Sequence, residues 1–169
     1  MSNHAPLKRH HSLVGFSKDH HYGLLLVWKI RQGLNTGVQP ERISNYVLYF
    51  FDEDLDHHFK EEELNLFTKL PSDNTLRQQA EAEHAAIYDL INSIREERGN
   101  TELLLRFAEM LKEHIRFEER ELFAYMQRNL SATALEEIAD HGDSRGEEID
   151  ARWTDIFWIT TSQKVKHQL

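Results

Sequence analysis

Two stretches of this chain repeat each other at a constant offset of 56 residues. HHFKEEELNLF (57–67) and HIRFEERELF (114–123) align without gaps, so that His58 falls on His114, Glu62 on Glu118, Glu63 on Glu119, Leu66 on Leu122 and Phe67 on Phe123. Each copy holds a His and a Glu four residues apart. On an α-helix that spacing stacks the two side chains on adjacent turns of one face. A pair on a solvated face asks nothing more of the fold. A pair on a core face needs compensation, because an unpartnered buried polar group costs about 1–3 kcal/mol and a bare charge much more.

The apolar periodicity decides which face it is. Val47, Phe51, Leu55, His58 and Glu62 share one stripe, and Leu103, Phe107, Leu111, His114, Glu118 and Leu122 share another. Two further stripes carry one histidine each: Phe16, His20, Leu24 and Val27, and then Ala80, His84, Ile87 and Ile91. In all four the histidine lies among the residues that should face a core. His21 and His57 sit about 100° round, on the flank. His10, His11, His141 and His167 read as bystanders, with His141 beside Gly142 as a possible cover for the inward cluster.

Punctuation along the chain yields an all-α reading. Residues 1–15 form an N-terminal arm, and Phe16-Ser17 reads as staple and cap of a first helix over about 17–34, closed by Asn35-Thr36-Gly37. Pro40 opens a second helix that runs to about Leu70 and stops at Pro71. Ser72, Asp73 and Asn74 cap a third that ends at Arg98-Gly99, and Asn100 or Thr101 caps a fourth that ends near Asn129. Short connections make successive helices antiparallel neighbours, so residues 16–130 are expected to form an up-down-up-down four-helix bundle. Ser131 opens a shorter C-terminal helical segment (131–169), weakened at Gly142 and Gly146, that packs on the bundle.

Composition narrows the functions. A net charge of −9 speaks against nucleic acid and against an anionic lipid surface as partners. With no cysteine, disulfides, thiolate metal sites and cysteine nucleophiles are excluded, and a reducing cytoplasm is the expected setting. The first residues contain no apolar core of a signal peptide, and no run approaches the length of a membrane span.

Four inward histidines and two inward glutamates should then meet in one layer. Metal cations compensate such a layer well, since neutral imidazole and carboxylate are both good ligands. The half-chains match in kind: a helix with one His preceded by an acid (Asp19-His20, Glu83-His84), then a helix with HisxxxGlu. A pair of metals bridged by Glu62 and Glu118 uses His20, His58, His84 and His114 evenly. Glu61, Glu63, Glu119 and Glu121 read as solvated faces or as outer partners of the ligands.

This order of residues resembles the hemerythrin-like (HHE cation-binding) domains over roughly residues 10–130. The residues that carry the likeness are His20 in LVGFSKDHHYGLLL, His58 and Glu62 in HHFKEEELNLF, His84 in AEHAAIYDLI, and His114 and Glu118 in HIRFEERELF. The resemblance implies a non-haem, carboxylate-bridged di-iron centre on a four-helix bundle; imidazole and carboxylate also suit zinc, which could substitute for iron. It also implies small ligands such as dioxygen, nitric oxide or peroxide. Oxygen carriers of the family have a fifth histidine one turn beyond the single histidine of helix three. Tyr88 stands there, a residue that could touch a bound ligand or pack in the core, and each iron would keep an open position. The pattern is nearer to the family's iron-cluster repair proteins and iron- or oxygen-sensing domains, although the cysteine-bearing segment of the repair proteins has no counterpart. Ferritin-like proteins place Glu before His at three residues, the reverse of the order here. The expected function is therefore binding or sensing of a small ligand or of iron. The alternatives are a di-iron enzyme that reduces peroxide or nitric oxide, and a metal-stabilised scaffold whose protein partner the sequence does not name.

Overall fold

The computed structural model describes residues 8–138 and 144–159, and all regular structure among them is helical. His141, Gly142 and His167 lie outside these residues. Helix α1 is His11–Asn35. The long helix α2 (40–69) is a chain of segments: Pro40–Phe50, a π-helical Phe51–Leu55, Asp56–Glu61, a second π-helical Glu62–Leu66, and a final 3₁₀ turn Phe67–Lys69. Helix α3 is Thr75–Glu96, and α4 (101–129) joins Thr101–Phe117, a π-helical Glu118–Leu122 and Phe123–Asn129. Two short helices follow, α5 Ala132–Glu136 and α6 Gly146–Ala151.

Several punctuation marks act as read. The Asn74 side chain accepts from the N–H groups of Leu76 and Arg77, and Asn100 accepts from Leu103. Gly37 takes the positive φ of 77° that ends α1. The start of α1 differs from expectation. Helix begins at His11 rather than near Ser17, with His10 as its cap, and the extra turns bury Leu13 and Phe16 completely. Apolar burial worth about 1.5–3 kcal/mol per large side chain outweighs the capping preference of Ser17.

The π-helical turns are the larger difference, and their cause is a period of four. Phe50, Asp54, His58, Glu62, Leu66 and Leu70 are all buried. An ideal α-helix drifts about 40° for each four-residue step, roughly 200° over the five steps here. Wider turns closed by i→i+5 bonds take up that drift and keep the row pointing inward. The same device in α4 keeps His114, Glu118, Leu122 and Met126 on one buried row.

Paired residues run in opposite order along neighbouring helices. Asp19 meets His58 and Lys29 meets Tyr46 between α1 and α2. Glu63 meets His84 and Asp52 meets Arg95 between α2 and α3. Glu83 meets His114 and Asn74 meets Tyr125 between α3 and α4, and His20 meets Glu118 while Arg31 meets Glu109 between α4 and α1. Two apolar clusters fill the interior. One runs from Leu26 and Tyr46 to Phe107 and Ile115, the other from Leu13 and Phe16 to Phe123 and Leu135. The polar layer of His and Glu lies between them: the His84 ring is 4.0 Å from Phe59 of the first and 5.2 Å from Phe67 of the second. No helix among the described residues is long and apolar enough to cross a membrane.

Candidate metal centre

Each of the four helices delivers one histidine to this layer, and α2 and α4 each add a glutamate one turn further on. His20, His58, His84, His114, Glu62 and Glu118 are all buried, both glutamates completely. The imidazoles turn Nε2 inward. His58 Nε2 lies 2.6 Å from Glu62 Oε1, His114 Nε2 lies 2.9 Å from Glu118 Oε1, and His20 Nε2 lies 3.0 Å from Glu118 Oε2. His84 Nε2 stands back at 3.7 Å from Glu62 and 3.6 Å from Glu118.

The outward nitrogens explain why these approaches need a cation. All four Nδ1 atoms face a carboxylate: His20 at 2.7 Å from Glu119, His58 at 2.9 Å from Asp19, His84 at 2.8 Å from Glu63 and His114 at 2.9 Å from Glu83. A carboxylate can only accept, so each Nδ1 carries the proton and donates it. In a neutral ring Nε2 is then a lone pair aimed at carboxylate lone pairs. The Nε2 atoms of His20, His84 and His114 and both oxygens of Glu62 and Glu118 are buried and make no hydrogen bond. An arrangement of this kind persists when protons or metal ions supply positive charge at its centre.

Without metal, protons take that part. Burial and the neighbouring Glu118 push the Glu62 carboxyl well above the usual carboxylate range. Burial acts the same way on Glu118, but His114 and His20 outweigh it and hold that carboxyl well below the range. Burial alone would lower His114, yet Glu118, Glu83 and Glu62 carry its pKa up to about 10. His20 is raised too, against its burial, by Glu118 and Glu119. The donor set suits a metal better: neutral imidazoles and two shared carboxylates, with every imidazole oriented from behind.

Two groups of donors lie close enough to hold one ion each: His20, His58, Glu62 and Glu118, and then Glu62, His84, His114 and Glu118. Both glutamates belong to both groups. A narrow crevice beside His20, His58 and His114 is walled by Gly23, Leu55, Phe59, Leu111 and Ile115, and is too tight in this conformation for a water molecule. Of the two apolar stripes that carry the repeat, Leu55 and Leu111 form its wall, while Phe51 and Phe107 pack in the core.

All six residues, four named from the repeat and His20 and His84 from the other two stripes, come together here. Tyr88 does not turn its hydroxyl to them: it donates to Asp56, and its ring meets Phe51 at 5.2 Å and Phe59 at 6.0 Å. His57 is exposed, 4.0 Å from Glu61, and His21 lies at the surface against Tyr22. Glu63 and Glu119 are outer partners of the cluster, whereas Glu61 bonds to Asn65 and Glu121 is exposed. The sequence reading noted Asp19 and Glu83 only as neighbours of His20 and His84. In the structure each serves a different helix, Asp19 reaching His58 and Glu83 reaching His114. Arg9, unnoticed in the arm, binds the Glu119 side chain at 2.9 Å and its backbone carbonyl at 2.8 Å.

No curated protein and no solved structure matches the chain significantly. One family model does, over residues 15–126, and its span contains all six inward residues. With that match over more than half its length, the chain belongs to the family of the hemerythrin HHE cation-binding domain.

Proposed function

We propose that the buried layer is a di-iron centre that binds or senses a small ligand such as dioxygen, nitric oxide or peroxide, or iron itself. His20 and His58 would hold one ion, His84 and His114 the other, and Glu62 and Glu118 would serve both. The observation that carries this reading is the set of buried Nε2 and carboxylate oxygen atoms that face one another without a hydrogen bond. Bound iron would supply redox activity and positions at which a small ligand can coordinate.

The rest is done by the chain. Asp19, Glu63, Glu83 and Glu119 hold the imidazole protons on Nδ1, which makes Nε2 the ligating nitrogen. Leu55, Leu111 and Ile115 line the crevice beside His20, His58 and His114 and leave no room there for water.

Metal content of untagged protein, followed by a visible spectrum with and without azide, tests the reading. Two irons per chain and charge-transfer bands that shift with azide are expected. One zinc, or no metal after anaerobic reconstitution with ferrous iron, would remove the di-iron function and favour a metal-stabilised or metal-free scaffold. Repeated turnover of peroxide with a reductant, rather than a stable adduct, would move the protein to the enzymes.

A further inference from the structure

A second cluster of metal-ligand side chains lies at the surface, and nothing in the di-iron reading uses it. His10 caps α1, His11 is the first residue of α1, and Glu136 is the last residue of α5. The chain separates them by more than a hundred residues, yet their ligand atoms all lie within 4.8 Å of one another. His11 Nε2 is 2.9 Å from Glu136 Oε2 and His10 Nε2 is 3.5 Å from Glu136 Oε1. Zinc bonds of about 2.0–2.2 Å place tetrahedral donors roughly 3.3–3.6 Å apart, a spacing that the 3.5 Å His10–Glu136 approach already has and that His11 would reach by moving back from 2.9 Å.

The two elements that carry the donors are fixed to each other beneath them. Leu13 and Phe16 of α1 pack in the same apolar cluster as Leu135 and Ile138, and Ser131 caps α5 through a 3.0 Å bond to Ala134. His10 Nδ1 accepts from the Ser12 N–H at 3.2 Å, which puts the ring's proton on Nε2; a metal at Nε2 would move that proton to Nδ1, where Ser12 Oγ at 2.7 Å can accept it. Two imidazoles and a carboxylate select borderline dications such as zinc over magnesium or calcium, and leave a fourth position to water.

We propose that His10, His11 and Glu136 form a second, surface site for a transition-metal dication such as zinc, which clasps the start of α1 to α5. This site does not depend on what the buried layer holds.

The test uses the full chain without a histidine tag, first equilibrated with ferrous iron and its metal content measured. Calorimetric titration with zinc chloride should then show one further equivalent. His11→Ala and Glu136→Gln should each weaken that binding more than tenfold, since even an outer partner of a ligand is worth about 10–100-fold. The iron content of both variants should equal that of the parent. In the parent alone, zinc should slow amide exchange in residues 11–14 and 132–136. Zinc binding unchanged in both variants would overturn the site, and zinc binding without added exchange protection would overturn the clasp.

Discussion

The two halves of the buried layer present the same donors to a metal and differ in what stands behind them. Behind His58 is Asp19, 5% exposed, and behind His20 is Glu119, 28% exposed and bound to Arg9. Behind His84 is Glu63, 44% exposed, and behind His114 is Glu83, 25% exposed, on an open groove shared with Glu113, Arg116 and Arg120. The apolar crevice adjoins His20 and His58 with His114, while His84 is packed against Phe59 and Phe67. A repeat in sequence thus becomes an asymmetric pair of half-sites. The contrast lies at one position in each half, a dry one at Asp19 and a wet one at Glu63, because Glu119 and Glu83 are alike at 28% and 25% exposed. Low dielectric strengthens the hydrogen bond at the dry position, whereas water competes with the one at the wet position.

The shared glutamates are where the comparison breaks first. Glu118→Ala should remove a donor from both half-sites at once and lose most of both metals. The loaded protein then forfeits its ligand stabilisation, about 4 kcal/mol at free metal a thousandfold above Kd. Metal analysis together with melts in the presence and absence of iron checks this. Loss of one metal with the other retained would show that the halves do not share the carboxylate.

The outer partners sharpen the comparison next. Asp19→Asn should weaken metal binding by about 10–100-fold, because a buried carboxylate orients His58 and raises its basicity. Glu63→Gln removes a half-exposed carboxylate from His84, and its effect should be smaller. Competition with a chromophoric chelator ranks the two, and equal losses would erase the distinction between a dry and a wet position.

Protons distinguish the metal-free from the loaded protein. His114 is raised in the folded chain to about 10, above its ordinary value of 6.5. That interaction is fully present below about pH 6.5 and is lost as pH rises through about 10. The low Glu118 carboxyl contributes in the opposite sense, being lost as acid protonates it in the fold. Metal-free protein should therefore melt at a lower temperature at pH 9.5 than at pH 6.5. The loaded protein should resist that alkaline loss, because metal replaces the proton, and should release metal in acid, where protons compete for the ligands. A metal-free melting temperature that is flat from pH 6.5 to 9.5 would mean that His114 is not protonated against Glu118.

The six inward residues were legible because burial on a helix repeats, and each His and Glu broke an apolar stripe at a position where a polar group needs a reason. Caps at Asn74 and Asn100 were legible for a local reason: the signal and its effect lie within three residues. The start of α1 was not, because Leu13 and Phe16 gain their burial against Phe123 and Leu135, far along the chain. The π-helical turns had a signal that went unread, the row of steps of four from Phe50 to Leu70, which an α-helix cannot keep on one face. Asp19 and Glu83 were visible as acids beside ligands. That each serves a histidine on the next helix depends on bundle geometry, which spacing along one helix does not contain.

The smallest expected effect concerns one position that the two halves fill differently. One turn beyond His84 stands Tyr88, and one turn beyond His20 stands Leu24, which is 41% exposed. The Tyr88 hydroxyl is held by Asp56, which Lys60 also binds at 2.7 Å, and Phe59 lies between the phenol and the His84 ring. Burial and then Asp56 push the phenol's pKa upward, so it stays protonated and remains a donor to that carboxylate at neutral pH. Tyr88→Phe keeps the ring against Phe51 and Phe59 and removes only the donor, a loss of about 1 kcal/mol of stability. Metal content and the azide-dependent spectrum should not change. A shifted spectrum at full metal content would place the Tyr88 hydroxyl on the bound ligand instead, and the half with His84 would then have a contact to the ligand that the half with His20 lacks.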